Sequence, residues 1–248
     1  RARIERVGES GIEAGIVARS PEKGESPVRL HLAPALIKGH GFDYVVGGFY
    51  FDSEFDLTQY TRVFGFSPGV DPIDFDPNPQ NVIGKTKSYA VFGDFNWNFA
   101  ENLRLSFGGR WTRDEKSLRN SFAQLGLIGQ GDDDFSKFTP KVGIDWRPNP
   151  DMMFYASWSR GYRSGGFSPR AATAETASTP FGPETVDSYE VGSKLDLMNG
   201  MLQFNVAGFI SKYDDLQQNT TIPGGPTGNQ TITSNPRTSP ETWSVRPR

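Results

Sequence analysis

The chain has 248 residues, with 26 Lys or Arg against 29 Asp or Glu and a net charge of −3. That balance excludes an electrostatic nucleic-acid partner, and the lack of cysteine excludes disulfides and thiolate metal sites. Mean hydropathy is −0.52 and no apolar run suits a spanning helix. This leaves open a barrel, whose strands keep half their residues in water.

Residues 1–27 show no period, and Arg1-Ala2-Arg3-Ile4-Glu5 leads into no apolar signal core. This stretch is expected to be unassigned, truncated or out of frame, with any export signal upstream. The 28–213 region reads as barrel strands. Val28 to Leu32 alternates briefly, and Phe42 to Phe51 (FDYVVGGFYF) forms a clear strand. Residues 52–84, rich in Pro, Asp, Gly and Asn, form a long external loop. Strands follow at about 85–99, 102–113, 137–147, 152–163, 185–197 and 201–213. Each approaches or exceeds the ~9–11 residues that span a membrane. Further long loops occupy 114–136 and 164–184, and 214–248 is expected to be loop and irregular tail. Short connections alternating with long ones suit periplasmic turns and external loops.

Side-chain direction identifies the solvent. Tyr89, Val91, Phe95, Trp97 and Phe99, then Leu103, Leu105, Phe107 and Trp111, share one parity. Ser88, Asp94, Asn96, Asn98, Asn102, Arg104, Ser106 and Arg110 share the other, and only Phe92 breaks the rule. The strand from Tyr89 to Phe99 rises roughly 33 Å at ~3.3 Å per residue, or about 25 Å of height when tilted by ~40°. Parity also dictates turn length. Ala100-Glu101-Asn102 and Pro148-Asn149-Pro150 are odd where both flanking strands keep one parity. Asn199-Gly200 is even where parity changes, and it suits a type I′ turn. Trp97, Phe99 and Trp146 lie beside short turns, Tyr89, Trp111 and Tyr189 near long loops, as interfacial girdles require. Pro140 cannot donate to a ladder and calls for a bulge or frayed start.

The inward set is Asn96, Arg104, Arg110, Lys141, Asp145, Glu190, Lys194, Asp196, Gln203 and Asn205. Lys141 with Asp145, and Glu190 with Lys194, repeat on one face, so their charges are expected to offset. Simple hydration of a lumen explains such residues as well as contact with a passing ligand does. No catalytic set, GxSxG or phosphate loop occurs, so no enzyme is expected. His31 and His40 lack companion ligands, and Lys38-Gly39-His40-Gly41 reads as a turn, so no metal site or cofactor is expected. Asp74-Phe75-Asp76-Pro77-Asn78 reads as a solvated loop rather than a calcium site, and Asp132-Asp133-Asp134 as an acidic loop tip. Gly161 to Gly166 opens no helix and reads as a strand leaving the membrane.

FTPKVGIDW (138–146), MMFYASWSRGYRSGGF (152–167) and PETVDSYEVGSKLDLMNGMLQFNVAGF (183–209) resemble the barrel of TonB-dependent outer-membrane receptors. The resemblance covers roughly 40–235 and includes FDYVVGGFYF. It implies an all-β fold, a partial antiparallel transmembrane barrel of about eight strands out of the family's 22, without the plug domain. It further implies residence in the Gram-negative outer membrane, contact with its lipid, and energised uptake of a ferric siderophore or cobalamin. The TonB protein would act through a plug absent from this chain. By the same resemblance Tyr162, Arg163 and Phe167 would meet the ligand outside. The family's aromatic-ended last strand is missing, since the chain closes Arg237 to Arg248 without barrel alternation. A passive channel or small structural barrel, and a soluble secreted carbohydrate-binding sandwich, are the alternatives.

Overall fold

Period-two alternation becomes one continuous ladder. The computed structural model describes residues 29–39, 41–59, 79–122, 126–198, 200–224, 228–236 and 241–247. In chain order these form β1 (Arg29–Gly39), β2 (Phe42–Gln59), β3 (Gln80–Ala100), β4 (Leu103–Phe122), β5 (Gly126–Asn149) and β6 (Met152–Arg163). There follow a one-turn helix α1 (Ala174–Ser178), β7 (Glu184–Leu197), β8 (Leu202–Asp214), β9 (Gln218–Pro223), β10 (Asn229–Ser234) and β11 (Glu241–Pro247). Strands β1 to β8 and then β11 form a single antiparallel sheet, while β9 and β10 make a separate hairpin. Among the described residues these are the sheets present.

The two faces separate as parity requires. On β4 and β5, Leu105 pairs with Ile144, Phe107 with Val142 and Trp111 with Phe138, all on one face. Val91 and Val191 on that face are 60% and 61% exposed, a water-facing absurdity that lipid resolves. Phe95 stacks on Phe107 at 5.2 Å on the same outer surface. Asn96 and Arg104 face the opposite way. Just beyond Tyr89, Trp111 and Phe138 the outer face turns ionic: Arg113 meets Asp134 at 3.5 Å and Lys85 meets Glu54 at 3.3 Å. That switch marks where the hydrocarbon ends.

Register follows parity as well. Trp97 pairs with Leu105, Val142 with Trp158 and Leu197 with Leu202. The last hairpin, however, turns through four residues rather than two, with Met198 at φ 54°; Asn199 lies outside the described residues. Pro140 pairs with Gly109 of β4, and the ladder to β6 ends one residue beyond it at Lys141. Its missing donor therefore costs nothing on that side.

Several expectations need correction. Residues 114–136 are not a loop: β4 and β5 pair out to Phe122 and Gly126, so Asp132-Asp133-Asp134 lies in a strand. This upper arm is polar on its outer face, and its inner face mixes Leu118, Phe122 and Phe135 with Asp114, Lys116 and Asn120, so no clean apolar stripe betrays it. Likewise β2 runs to Gln59 and β3 starts at Gln80, shortening the 52–84 loop. The first strand spans Arg29–Gly39, longer than its brief alternation. The 214–248 tail contains β9, β10 and β11, and β11 pairs with Val206 to Lys212 of β8. That pairing satisfies backbone groups along β8 that a bare edge would leave open. Residues 1–27, His40 and Asp74-Phe75-Asp76-Pro77-Asn78 lie outside the described residues.

The lipid face predicts a directional asymmetry in the intact protein. Phe107→Arg should lower unfolding free energy by about 2–4 kcal/mol, whereas Asn205→Ser on the inner face should change it by less than ~0.5 kcal/mol. Urea titration in lipid vesicles, read by heat-modifiable gel migration, checks both.

Candidate functional site

The inner face and the cap above it are where chemistry concentrates. The cap is residues 164–183, and its shape follows from the arm beneath. Phe167, Val82 and Leu118 form a buried cluster. Gly131 of β5 leaves the notch that Phe167 fills: a Cβ there would lie 2.3 Å from its ring. Thr173 caps α1, its hydroxyl accepting from the Thr176 N–H at 3.4 Å.

Polar clamps hold the same segment from two sides. Gln80 Nε2 donates to Ala171 O at 2.8 Å and to Asn120 Oδ1 at 3.0 Å. Asn120, 0% exposed, donates through Nδ2 to Ala171 O at 2.6 Å. On the other side Gln230 Oε1 of β10 accepts from Ala172 N and from Thr176 Oγ1, each at 2.7 Å. Ser168 Oγ accepts from Thr233 N at 2.8 Å. Buried amides left half-paired would cost about 1–3 kcal/mol each, so the β9–β10 hairpin, the cap and the arm form one bonded unit.

On the sheet below, the expected residues share one face, but with other partners than the strand spacing suggested. Asn96 Oδ1 accepts from Ser106 Oγ at 2.9 Å. Lys141 pairs with Asp94 two strands away, not with Asp145. Residues four apart along a strand are separated by roughly 13 Å, while Gly108, lying between, has no side chain to block the crossing. A Cβ at Gly108 would meet Asp94 Oδ1 at 2.3 Å. Glu190 accepts from the Tyr155 hydroxyl at 2.6 Å rather than pairing with Lys194. Arg104 lies opposite Asp145 in register, yet its Nε is buried without a hydrogen-bond partner. Asp145, Glu190, Lys194, Asp196 and Gln203 line a basin of about 750 Å³ toward the short-turn end.

At the long-loop end a cavity of about 290 Å³ is lined by Ser88, Arg110, Thr112, Asp114, Tyr162 and Ser164. The Tyr162 hydroxyl is buried there without a partner. Burial first, and the Asp114 charge second, raise its phenol above the ordinary range. Lys116, beyond the lipid band, is pushed down by burial and by Arg163, with Asp114 opposing. Arg163, at the end of β6, stays exposed. Phe167, expected in an open loop, is instead 7% exposed and clusters with Val82 and Leu118. No group of three metal-ligating side chains occurs among the described residues.

Sequence reasoning passed over Phe49 and Phe51, which share Phe92's face. Arg110 Cζ lies 4.8 Å from the Phe49 ring and 5.9 Å from the Phe92 ring. The signal was present: an aromatic on the wet parity in β3 and two in β2 form adjacent columns. Gln80 and Asn120 gave no such signal, since their partners are backbone atoms far along the chain.

Comparison with known proteins adds a frame. The family model described as TonB dependent receptor-like, beta-barrel matches residues 27–244. The metal-pseudopaline receptor CntO of Pseudomonas aeruginosa is 31% identical over 129 residues, 51% of this chain and 17% of that protein. The ferric-pyoverdine 358 receptor of Pseudomonas putida is 22% identical over 244 residues, 89% of this chain and 27% of its own length. Among solved structures, the ferric yersiniabactin uptake receptor FyuA of Yersinia pestis superposes with a TM-score of 0.69. Its identity is 18%, covering 89% of this chain and 31% of that one. The chain thus spans less than a third of each of these three relatives.

The cap's packing gives a test. Gly131→Val should displace Phe167 and cost about 1–3 kcal/mol locally, opening residues 164–183 to external protease on intact cells. Thr221→Val on the exposed hairpin should leave cleavage unchanged.

Proposed function

The chain belongs to the TonB-dependent receptor β-barrel family of the Gram-negative outer membrane, and on that premise we propose that it is a wall segment of an energised importer. The carrying observation is the two-faced sheet: lipid-facing aromatics outside, and inside a polar wall topped by a clamped external cap. A wall that only closed a pore would have no use for the cap's buried amide clamps. The cargo is a scarce small molecule, a ferric siderophore or a similar metal chelate. In support, CntO and the Pseudomonas putida protein are named as receptors for metal-pseudopaline and ferric pyoverdine.

The work divides by height. Tyr162 and Arg163 meet the arriving ligand at the mouth, where a buried hydroxyl and an exposed guanidinium stand close to the 290 Å³ cavity. Asn96, Arg104, Arg110, Lys141, Asp145, Glu190 and Lys194 line the wet bore. Energy reaches the bore through the TonB protein acting on a plug domain. The protein binds and moves its cargo without chemical change.

Cells producing the intact receptor should accumulate iron from a cognate ferric chelate, and a protonophore should abolish the accumulation. Tyr162→Phe with Arg163→Ala should weaken chelate binding by about tenfold while leaving barrel yield unchanged. Accumulation that persists after the protonophore would contradict energised import.

A further inference from the structure

All four methionines of the chain gather at the short-turn end of β6, β7 and β8. Met152 and Met153 open β6, while Met198 and Met201 belong to the turn between β7 and β8. The turns after β3 and β5 carry polar residues instead, Glu101-Asn102 and Pro150-Asp151. Met198 and Met201 are 68% and 83% exposed, the most exposed large hydrophobic side chains among the described residues. Neither burial nor backbone geometry calls for methionine here. Met198 sits at φ 54°, a left-handed conformation that favours Asn or Gly. Met201 N donates to Met198 O at 3.3 Å, a main-chain contact that any residue pair could make. What a thioether adds at an exposed turn is a sulfur lone pair open to small electrophiles.

The other two sulfurs are screened, each in its own way. Met152 is partly buried, pairs with Leu195 and shares the apolar face with Phe154, where hydrocarbon keeps out water-borne oxidants. Met153 is also partly buried, and its Sδ accepts from Arg147 Nη2 at 3.7 Å. A guanidinium therefore draws on the lone pair that an oxidant needs.

We infer that Met198 and Met201 form a reversible oxidation site for hypochlorous acid, a property independent of what the receptor imports. In the forward step the sulfur gives two electrons to chlorine. The O–Cl bond breaks, an S–O bond forms, and a proton and chloride leave. In the return step two thiols of a reductase supply two electrons and two protons. The S–O bond breaks, water leaves and the thiols become a disulfide. A sulfoxide is polar where the thioether was apolar. Oxidation therefore wets a turn that runs on from the apolar residues Leu202 and Phe204, which are 47% and 48% exposed. The turn stands at the opposite end of the strands from the 290 Å³ cavity and the cap, so oxidant is consumed there without touching them.

The test treats the purified intact receptor in lipid vesicles with limiting hypochlorous acid, then digests it and weighs the peptides. Oxygen uptake reads as a mass increase of about 16 Da at each methionine. Met198 and Met201 should react about tenfold faster than Met152 and Met153. In concentrated urea the four rates should converge, which assigns the difference to the fold. Arg147→Ala should speed oxidation of Met153 roughly threefold and leave Met201 unchanged. The two epimer-specific methionine sulfoxide reductases, supplied with a dithiol, should restore both turn residues. Met198→Leu with Met201→Leu should remove the fast phase and leave heat-modifiable gel migration as it was. Equal rates at all four sulfurs in the folded receptor overturn the inference, as do turn sulfoxides that the reductases leave in place. Slow reaction of Met198 and Met201 in vesicles but fast reaction in urea also overturns it, because lipid or protein would then cover the turn.

Discussion

In hydrocarbon a backbone N–H or C=O has no water to turn to, and this constraint governs everything else in the molecule. Each unsatisfied group costs several kcal/mol, so a membrane-crossing sheet has to pair every strand along the full lipid thickness. From β1 through β8 each strand pairs antiparallel with the next, and β11 takes the far side of β8. Because the ladder is obligatory, register is too, and a one-residue slip would turn lipid-facing Phe107 and Val142 into the bore. The outer surface is therefore not a hydrophobic core turned outward by accident. It is the face whose solvent is acyl chain, bounded where Arg113 and Asp134 begin to pair.

Above that boundary the physics changes. Water is available, so the β3–β5 arm needs neither apolar faces nor closure, and its stability comes from what packs on it. The arm's inner side offers Val82, Leu118 and the Gly131 notch to the cap, and Gln80 and Asn120 to a single carbonyl at Ala171. The β9–β10 hairpin would be marginal alone, and its Gln230 ties it to the cap instead. Residues 164–183 are thus held by a bonded frame rather than as a loose loop.

Sequence and structure agree best where one face meets lipid. Tyr89, Val91, Trp97, Phe107 and Trp111 announced their surface by alternation, and strand register kept the expected parity. The first two hairpins nonetheless close on the two-residue turns Glu101-Asn102 and Pro150-Asp151, after a register shift, rather than on three-residue loops. Agreement fails where both faces are wet. In residues 114–136 the outer face is polar, and Leu118, Phe122 and Phe135 are spaced among polar residues on the inner one. The alternation is too weak to distinguish a strand from a loop there, and β11 is too short to show a period. Side-chain partners failed for a related reason. Lys141 and Asp145 looked paired along the strand, but Asp94 reaches Lys141 across the sheet because Gly108 leaves the path clear. Phe167, beside Gly165 and Gly166, read as an exposed loop aromatic and instead fills the arm's notch.

From its residues alone this protein determined which solvent each face of β3 to β8 meets, since lipid on one side and water on the other impose period two on the chain itself. It also determined the register parity of its paired strands, which is a local consequence of the same rule. The clamped cap, the extended arm and the gathering of Phe49, Phe92 and Arg110 around one point were decided only in three dimensions. Those depend on neighbours from other strands, and no local pattern encodes which columns a ladder will bring side by side.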